Sequence, residues 1–491
     1  MSRPSVRLAL LLVLAGAPGL AAPRAVLAQV PAPSGEMRAT AQRLTAEALR
    51  SHDAYDGLAE LCDRIGHRLS GEPSLDSAIA WAAARMRAEG LANVHTERVM
   101  VPVWVRGHES AELLTPRRKP LRMLGLGMSV GTPAEGITAD VVVVDSFPQL
   151  DSLGVAGVRG KIVLYDVPFK SYGETVRYRG SGASRAARYG AVAVLVRSVT
   201  PVSLDTPHTG SLGYADTLPR IPAAAITIED ATLLHRLCAR GGRVTVRLAM
   251  EAHRMPDVPA ANVIGEVVGR ERPGEIVAMG GHIDSWDVGQ GAQDDGVGCV
   301  IAMEAAHLMQ RLGLHPRRTV RVVLWVNEEN GLRGGRAYRD AHRDELPRHV
   351  AALESDIGNG LVRGFSLDVR PWPAAGDTAA RDTLGRPAAA RDRDSALVTL
   401  RAIATLLDTT GGMEMKAGGG GSDVGPIAAM GVPALGPEHD TSHYFDIHHT
   451  DADTFDKIDP VALSRNVATM AVMAWALAEW PTTLRPAPAG R

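Results

Sequence analysis

The 491-residue chain has few of the features that define several protein classes. It contains only three cysteines, Cys62, Cys238 and Cys299. An odd, sparse set without paired spacing excludes a disulfide framework and a zinc knuckle, although one bridge stays open. Lys and Arg total 53 against 55 Asp and Glu, so no excess of positive charge is available to bind nucleic acid. Aromatic residues make up only 4%, whereas 51 glycines and 31 prolines indicate many turns.

The sequence also lacks a long apolar run of the kind that crosses a bilayer, which needs about 20 residues. Near the start, the shorter run Leu8–Ala15 follows two arginines and precedes small residues that end at Ala28. This pattern predicts a signal peptide over residues 1–28, cleaved near Ala28, with an uncleaved anchor as the alternative. We therefore expect a soluble protein, secreted or periplasmic, with no membrane partner.

Residues from Ala261 onward alternate between strand-like and helix-like patterns. Val320–Val326 is almost continuously apolar, which is typical of a strand buried on both faces. Apolar residues between Val297 and Leu312 recur at helical spacing. Such alternation predicts an α/β sandwich around a mainly parallel mixed sheet. In such folds the functional side chains gather beyond the carboxyl ends of the strands.

Residues 104–255 have a different character, because short β-rich runs such as Val141–Val144 and Ile162–Tyr165 are separated by turn residues. We interpret this stretch as an inserted β-rich module. The host domain is then made of residues 29–103 and 256–491. The alternative is that these strands belong to the main sheet.

Polar side chains follow the apolar strands of the second half of the chain. Taken singly, each motif has an ordinary explanation: His-x-Asp as a turn, Glu-Glu as a solvated face, and Asp-Asp-Gly as a turn or helix cap. Their placement at successive strand ends predicts that they meet. The residues are His282, Asp284, Asp294, Asp295, Glu328, Glu329, Asp356, His448, His449 and Asp453.

The chemistry of this group points to metal ions. Imidazole and carboxylate are the ligands that zinc accepts when thiolate is absent. Acidic pairs beside an apolar strand are costly unless a cation neutralises them. Two His, two Asp and one Glu would supply five ligands to a pair of cations, and a further Glu could act as base. The sequence therefore predicts a dinuclear metal site.

The same motifs resemble those of the co-catalytic zinc exopeptidases of metallopeptidase family 28. The resemblance is carried by His282-x-Asp284, Gly291–Gly296, Glu328–Gly334, Asp356 and His449-Thr450-x-x-Asp453. The early run Ile65–Gly71 is similar to a segment of that family, and the inserted module is similar to its protease-associated domain. The likeness covers nearly the whole mature chain.

The resemblance implies a role for each residue. Two Zn²⁺ ions are bound, and Asp294 bridges them. The peptide bond from Asp294 to Asp295 is cis, and Asp284 orients His282 through the ring nitrogen that does not bind metal. The general base is Glu328, which activates a water shared by the zincs. One zinc is completed by His282 and Asp356, and the other by Glu329 and His449.

Three further residues are candidates for the substrate site. Asp423 either binds the substrate's free amine or caps a surface helix, and Tyr444 is a candidate donor to the reaction intermediate. His448 either lines the pocket or is an inert neighbour of His449, which the motif selects as the ligand.

The resemblance implies an exported exopeptidase that hydrolyses unblocked dipeptides or releases the N-terminal residue of short peptides. It also suggests a homodimer. One alternative is a single-zinc aminoacyl cyclase of the same fold. The other is an inactive receptor or binding module that has kept the fold, although such a protein usually lacks Glu328 or several ligands.

Overall fold

The computed structural model describes residues 31–371 and 388–484, and the predicted signal peptide lies outside these ranges. The strands are β1 (Ala92–Val105), β2 (Glu109–Thr115), β3 (Lys119–Leu121), β4 (Met123–Gly125), β5 (Ile137–Val144), β6 (Ile162–Tyr165), β7 (Ala193–Arg197), β8 (Ala223–Ile226), β9 (Thr245–Met250), β10 (His253–Val267), β11 (Arg272–His282), β12 (Arg318–Trp325), β13 (His349–Glu354), β14 (Val362–Asp368), β15 (Glu414–Ala417) and β16 (Ala434–His439). The helices are α1 (Gly35–Ala48), α2 (Asp53–Glu60), α3 (Pro73–Ala88), α4 (Phe147–Val158), α5 (Tyr172–Ala187), α6 (Ile228–Ala239), α7 (Val297–Arg311), α8 (Arg333–Ala341), α9 (Ala388–Ala404), α10 (Gly425–Ala428), α11 (Tyr444–Ile447) and α12 (Pro460–Glu479).

The main sheet has eight strands in the order β1-β10-β12-β11-β13-β16-β14-β15. Every residue of β12 is buried, as the apolar run Val320–Val326 predicts. Strand β11 is parallel to both β12 and β13, whereas β1, β10 and β12 pair antiparallel. The α/β architecture with a mixed sheet is therefore confirmed. It places the carboxyl ends of β11, β12 and β13 side by side at one edge.

A second eight-stranded sheet is built from residues between Glu109 and Met250, in the order β3-β2-β9-β5-β6-β7-β8-β4. Its strands pair with one another and are not hydrogen-bonded to the main sheet, although the chain enters from β1 and leaves into β10. The prediction of a β-rich module describes only part of this region, because the region also contains helices. Strands β5 to β8 are parallel, and the connections include α4 and α6, which the sequence patterns did not indicate.

Helix α12 corrects the expectation that no further segment could cross a bilayer. The helix is 20 residues long, and an 18-residue stretch of it has a mean hydropathy of 1.4, so by length and composition alone it could cross a membrane. In the structure 83% of that stretch is buried, and the helix packs against α7 and α1. It begins at Pro460, where the Asp459 side chain accepts a hydrogen bond from the Val461 N–H at 2.9 Å. Its apolar composition is explained by its place in the core.

The three cysteines are free. Cys62 and Cys299 are buried and Cys238 is half-buried. The bridge that the sequence left open is therefore absent from the structure.

Candidate metal centre and active site

The predicted residues meet at the edge where parallel strands β11, β12 and β13 end. His282 is the last residue of β11, Glu328 and Glu329 follow β12, and Asp356 follows β13. Neighbouring parallel strands bring their carboxyl ends to the same edge, so His282 and Asp356, 74 positions apart in the chain, are adjacent here.

Asp294 lies between two histidines and presents a different carboxylate oxygen to each. Its Oδ1 is 3.2 Å from Nε2 of His282, which is also 3.2 Å from Oδ1 of Asp356. Its Oδ2 is 3.0 Å from Nε2 of His449, which is also 3.0 Å from Oε2 of Glu329. The five predicted ligands therefore form two adjoining clusters that share one carboxylate.

The residues of both clusters fit divalent cations. The possible ligand atoms of His282, Asp294 and Glu329 all lie within 4.8 Å of one another. One oxygen of Glu329, Oε1, is buried and accepts no hydrogen bond from the described residues. Nitrogen and oxygen donors without thiolate are a set that zinc accepts.

The electrostatics of the two clusters also favour the binding of cations. Burial raises the pKa of Glu329 to about 8, with the His449 imidazole opposing the shift. Burial likewise raises the pKa of Asp356 to about 6, again opposed by a histidine, His282. Carboxylates buried this closely are expensive to ionise without a cation between them.

Asp284 contacts the second ring nitrogen of His282, as the resemblance implies, but through its backbone carbonyl. The ring of His282 is held through Nδ1 at 2.9 Å from the backbone carbonyl of Asp284, not from its carboxylate, which is 3.7 Å away. The carboxylate instead accepts the backbone N–H of Glu328 at 3.0 Å and that of Glu329 at 3.3 Å. Asp284 is therefore buried behind the site and holds the loop that follows β12.

Two further carboxylates hold the loop that carries Asp294. Asp295, joined to Asp294 by a cis peptide as expected, accepts the backbone N–H of His282 at 3.0 Å. Asp453 accepts the backbone N–H groups of Gln293 at 2.7 Å and Asp294 at 3.2 Å. Both residues belong to the quoted motifs, but these backbone contacts could not be predicted from the motifs.

Arg68 gives the early run Ile65–Gly71 a structural role beside the site. Its side chain is fully buried and donates to the backbone carbonyls of Ile283, Gln290 and Gly291 at 2.7–2.9 Å. These contacts fix the loop between β11 and Asp294. A segment more than 200 residues away in the chain thus supports the metal ligands.

A cavity of about 480 Å³ opens beside the two clusters. Glu328, Tyr444 and His448 line it, as expected of a base and of substrate-site residues. His448 stacks on His449 with ring centroids 3.6 Å apart, and its Nε2 is 3.4 Å from Oδ2 of Asp294. It is therefore in the pocket wall but makes one long contact where His449 makes two short ones.

Asp423 does not lie where either expectation placed it. It is 1% exposed, so it does not cap a surface helix. Its carboxylate oxygens are buried and have no hydrogen-bond partner among the described residues, and it does not line the cavity; its neighbour Ser422 does. Burial, reinforced by the nearby charge of Glu354, raises the pKa of Asp423 well above its usual value.

The cavity wall also includes residues from the second sheet that sequence reasoning missed. They are Tyr172, Arg179 and Ser211. Tyr172 and Arg179 are seven residues apart on α5, hence on one face of that helix, which starts at its N-cap Ser171. No motif marks them, because their contribution depends on how residues far apart in the chain pack together.

Comparison with known proteins agrees with this geometry. Residues 262–474 match the model of peptidase family M28. The chain is 41% identical over 426 residues to carboxypeptidase Q of Xenopus laevis, covering 87% of this chain and 86% of that protein. It is 38% identical to carboxypeptidase Q of Homo sapiens, covering 87% and 85%.

Solved structures show the same relationship. A peptidase M28 precursor from Shewanella amazonensis is 36% identical with a TM-score of 0.84, over 93% of this chain and 99% of that one. A zinc aminopeptidase from Bacillus subtilis, 20% identical with a TM-score of 0.62 over 89% and 97%, shares the fold. Fold, site and relatives together define a metallo-exopeptidase, a hydrolase of terminal peptide bonds. More narrowly, the chain belongs to peptidase family M28, and the carboxypeptidase Q sequences are among its relatives.

Proposed function

We propose that this chain is an exported dinuclear zinc exopeptidase that hydrolyses unblocked dipeptides or removes the N-terminal residue of short peptides. The observation that carries the proposal is the position of Asp294, whose two oxygens face His282 and His449 separately at 3.2 and 3.0 Å. One carboxylate shared between two ligand clusters is the arrangement that a co-catalytic pair requires.

The assignment of ligands follows from the two clusters. His282 and Asp356 would hold one zinc, Glu329 and His449 would hold the other, and Asp294 would contact both. Zinc bound there would supply a Lewis acid for the scissile carbonyl and lower the pKa of water. The zinc aminopeptidase of Bacillus subtilis, which shares the fold, supports the choice of metal.

Glu328 is the proposed general base and acid. It lines the cavity beside the ligand clusters, and Asp284 fixes its backbone N–H at 3.0 Å. A Glu328 carboxylate oxygen would accept a proton from the attacking water and then deliver it to the leaving amine nitrogen. The carboxylate thereby returns to its starting state after each turnover.

Tyr444 is the proposed donor to the oxygen of the attacked carbonyl. Burial, together with the charges of Asp294 and Asp356, raises the pKa of its phenol well above the usual value. The hydroxyl therefore keeps its proton at neutral pH and can donate a hydrogen bond as negative charge develops on that oxygen.

The remaining proposals concern the rest of the chain. We assign residues 104–255 as a protease-associated-type domain inserted into the peptidase domain, supported by the separate second sheet. Export is supported by the signal-like segment that ends at Ala28, and N-terminal sequencing of the secreted protein would test the cleavage position. We also propose that the protein forms a homodimer, which sedimentation equilibrium would test.

The test of the function combines metal analysis with a substrate panel. Protein purified with zinc should contain two zinc ions per chain, and it should hydrolyse free dipeptides but not their N-acetylated forms. A stoichiometry of one would favour the single-zinc cyclase. Zinc-free protein that binds peptides without hydrolysing them would favour the binding module.

A further inference from the structure

The guanidinium of Arg179 is a buried cation in the wall of the active-site cavity. The residue is 6% exposed and lines the cavity together with residues of the ligand clusters. It donates to the hydroxyl of Tyr172 at 2.7 Å and to the carbonyl of Thr209 at 3.2 Å. Its Nε is buried and has no hydrogen-bond partner among the described residues. None of these partners is a carboxylate.

A further polar contact of Arg179 within the described residues does not supply a negative charge. Its Nη1 is 3.4 Å from Nδ1 of His449. If Nε2 of His449 binds a cation, Nδ1 carries the ring proton and donates to the Thr209 carbonyl, 3.3 Å away. It cannot then accept from the guanidinium, which is left with neutral acceptors only. A buried charge without an anionic partner is costly in the absence of a ligand.

Gly210 provides the space in which this guanidinium lies. A Cβ added to Gly210 would come within 2.3 Å of Cζ and Nη1 of Arg179. The φ of Gly210 is +130°, a conformation that residues with a side chain rarely adopt. The loop between β7 and β8, which contains Gly210, thus approaches the guanidinium closely, beside the cavity.

We propose that Arg179 binds the free carboxylate of the substrate, on the C-terminal side of the scissile bond, and so makes this enzyme a dipeptidase. A guanidinium matches a carboxylate through paired N–H donors. Because Arg179 is held by Tyr172, Thr209 and Gly210, it cannot follow a carboxylate that lies one residue, about 3.3–3.6 Å, further along the peptide. This inference rests on the proposed function.

Arg336 is the natural control, because it lines the same cavity with the same charge. It is exposed and donates to the backbone carbonyl of Gly331. Because Arg336 is exposed whereas Arg179 is buried, the charge of Arg336 can be removed without altering a buried site. Arg336→Gln should leave carboxylate recognition unchanged.

The experiment measures KM and kcat of the zinc-loaded full chain for a dipeptide, its C-terminal amide and the corresponding tripeptide. The wild-type enzyme should show a KM for the amide and the tripeptide roughly 10- to 100-fold above that for the free dipeptide, with smaller changes in kcat. In Arg179→Gln the KM for the free dipeptide should rise by the same factor, while that for the amide stays unchanged. Arg336→Gln should retain the wild-type preference.

Each outcome decides the proposal. A wild-type enzyme that hydrolyses acid and amide equally well, or an Arg179→Gln variant that keeps the preference, overturns carboxylate recognition but leaves the exopeptidase intact. A wild-type enzyme that hydrolyses none of the three peptides contradicts the proposed function itself. If Arg179→Gln does not fold, Arg179→Lys and Gly210→Ala replace it: both should weaken the preference, and retention of the full preference in both would overturn the proposal.

Discussion

The carboxylate of Asp284 accepts a hydrogen bond from the backbone N–H of Glu328 at 3.0 Å. It accepts a second one from Glu329 at 3.3 Å. Asp284 comes two residues after β11, whereas Glu328 and Glu329 follow β12, so one buried side chain joins the ends of two neighbouring strands. The proposed base and a proposed metal ligand therefore take their positions from the same carboxylate.

Asp284→Asn is expected to lower kcat while the zinc content stays near that of the wild type. The amide oxygen of Asn can accept one of the two N–H groups, but its NH₂ group would face the other donor and leave it unsatisfied. The position of Glu328 should loosen, at a loss of about 1–3 kcal/mol in stability. Steady-state kinetics, zinc analysis and urea unfolding of the two proteins would measure these effects.

The outcome also separates the two possible roles of Asp284. If its carboxylate orients His282, the substitution should release zinc first. If it holds the loop after β12, as the 3.7 Å separation from the His282 ring indicates, activity should fall before zinc is lost.

Glu328→Gln is expected to lower kcat by roughly 100- to 10,000-fold, the usual contribution of a general acid–base group. Gln has nearly the same shape but cannot accept and return a proton at neutral pH. Zinc content should not change, because Glu328 is not in either ligand cluster. Kinetics and metal analysis on the same preparation would show this pattern.

The adjacent residue provides the matched control for that experiment. Glu329 is 3.0 Å from His449 in the second cluster, so Glu329→Gln should lose both activity and zinc. Substantial activity in Glu328→Gln would show that another group is the base.

His448 and His449 differ in what they contact, and this predicts different metal contents. His449 Nε2 is 3.0 Å from both Asp294 and Glu329, whereas His448 Nε2 reaches only Asp294, at 3.4 Å. His449→Ala should bind about one zinc ion per chain less than the wild type, and His448→Ala should retain the full content with altered KM. Metal analysis of the two variants after dialysis would decide between them, and the reverse result would exchange their roles.

The alternation of strands and helices from Ala261 onward could be predicted because its signals are local. Val320–Val326 is apolar except for Arg321, and strand β12 is buried at every position. The spacing between Val297 and Leu312 predicts α7, which spans Val297–Arg311. Burial on both faces leaves a clear pattern in the sequence, because every side chain of such a strand must be apolar or paired.

The wall of the cavity could not be predicted in this way. Arg179 and Tyr172 lie on a helix of the second sheet and are brought to His449 only by long-range packing. Asp423, in contrast, is buried beside Glu354, although one of its two predicted roles was to cap a surface helix. A local pattern specifies helix or strand, but which side chain faces a cavity depends on contacts between distant segments.

A network of charged side chains far from the metal ligands gives a separate test of the structure. The protonated ring of His342 donates to the carboxylates of Glu345 at 2.8 Å and Glu97 at 2.9 Å, and it lies against the ring of Tyr338 at 4.2 Å. Burial alone lowers the pKa of His342, but the two carboxylates outweigh it and raise the pKa to about 9 against the opposing charge of Arg321. The folded protein therefore holds a proton that the unfolded chain releases near pH 6.5.

We expect His342→Gln to destabilise the protein at pH 6 by on the order of 2–3 kcal/mol and to have little effect near pH 10. A histidine pKa that is higher in the folded state contributes its full stabilisation below pH 6.5. That contribution is lost as the pH rises through about 9, because the folded protein then releases the same proton. Urea unfolding of zinc-loaded wild type and variant at both pH values would measure the difference, with the exposed His315→Gln as a control that should change neither. A destabilisation of equal size at pH 6 and pH 10 would show that His342 acts through packing against Tyr338 rather than through its charge.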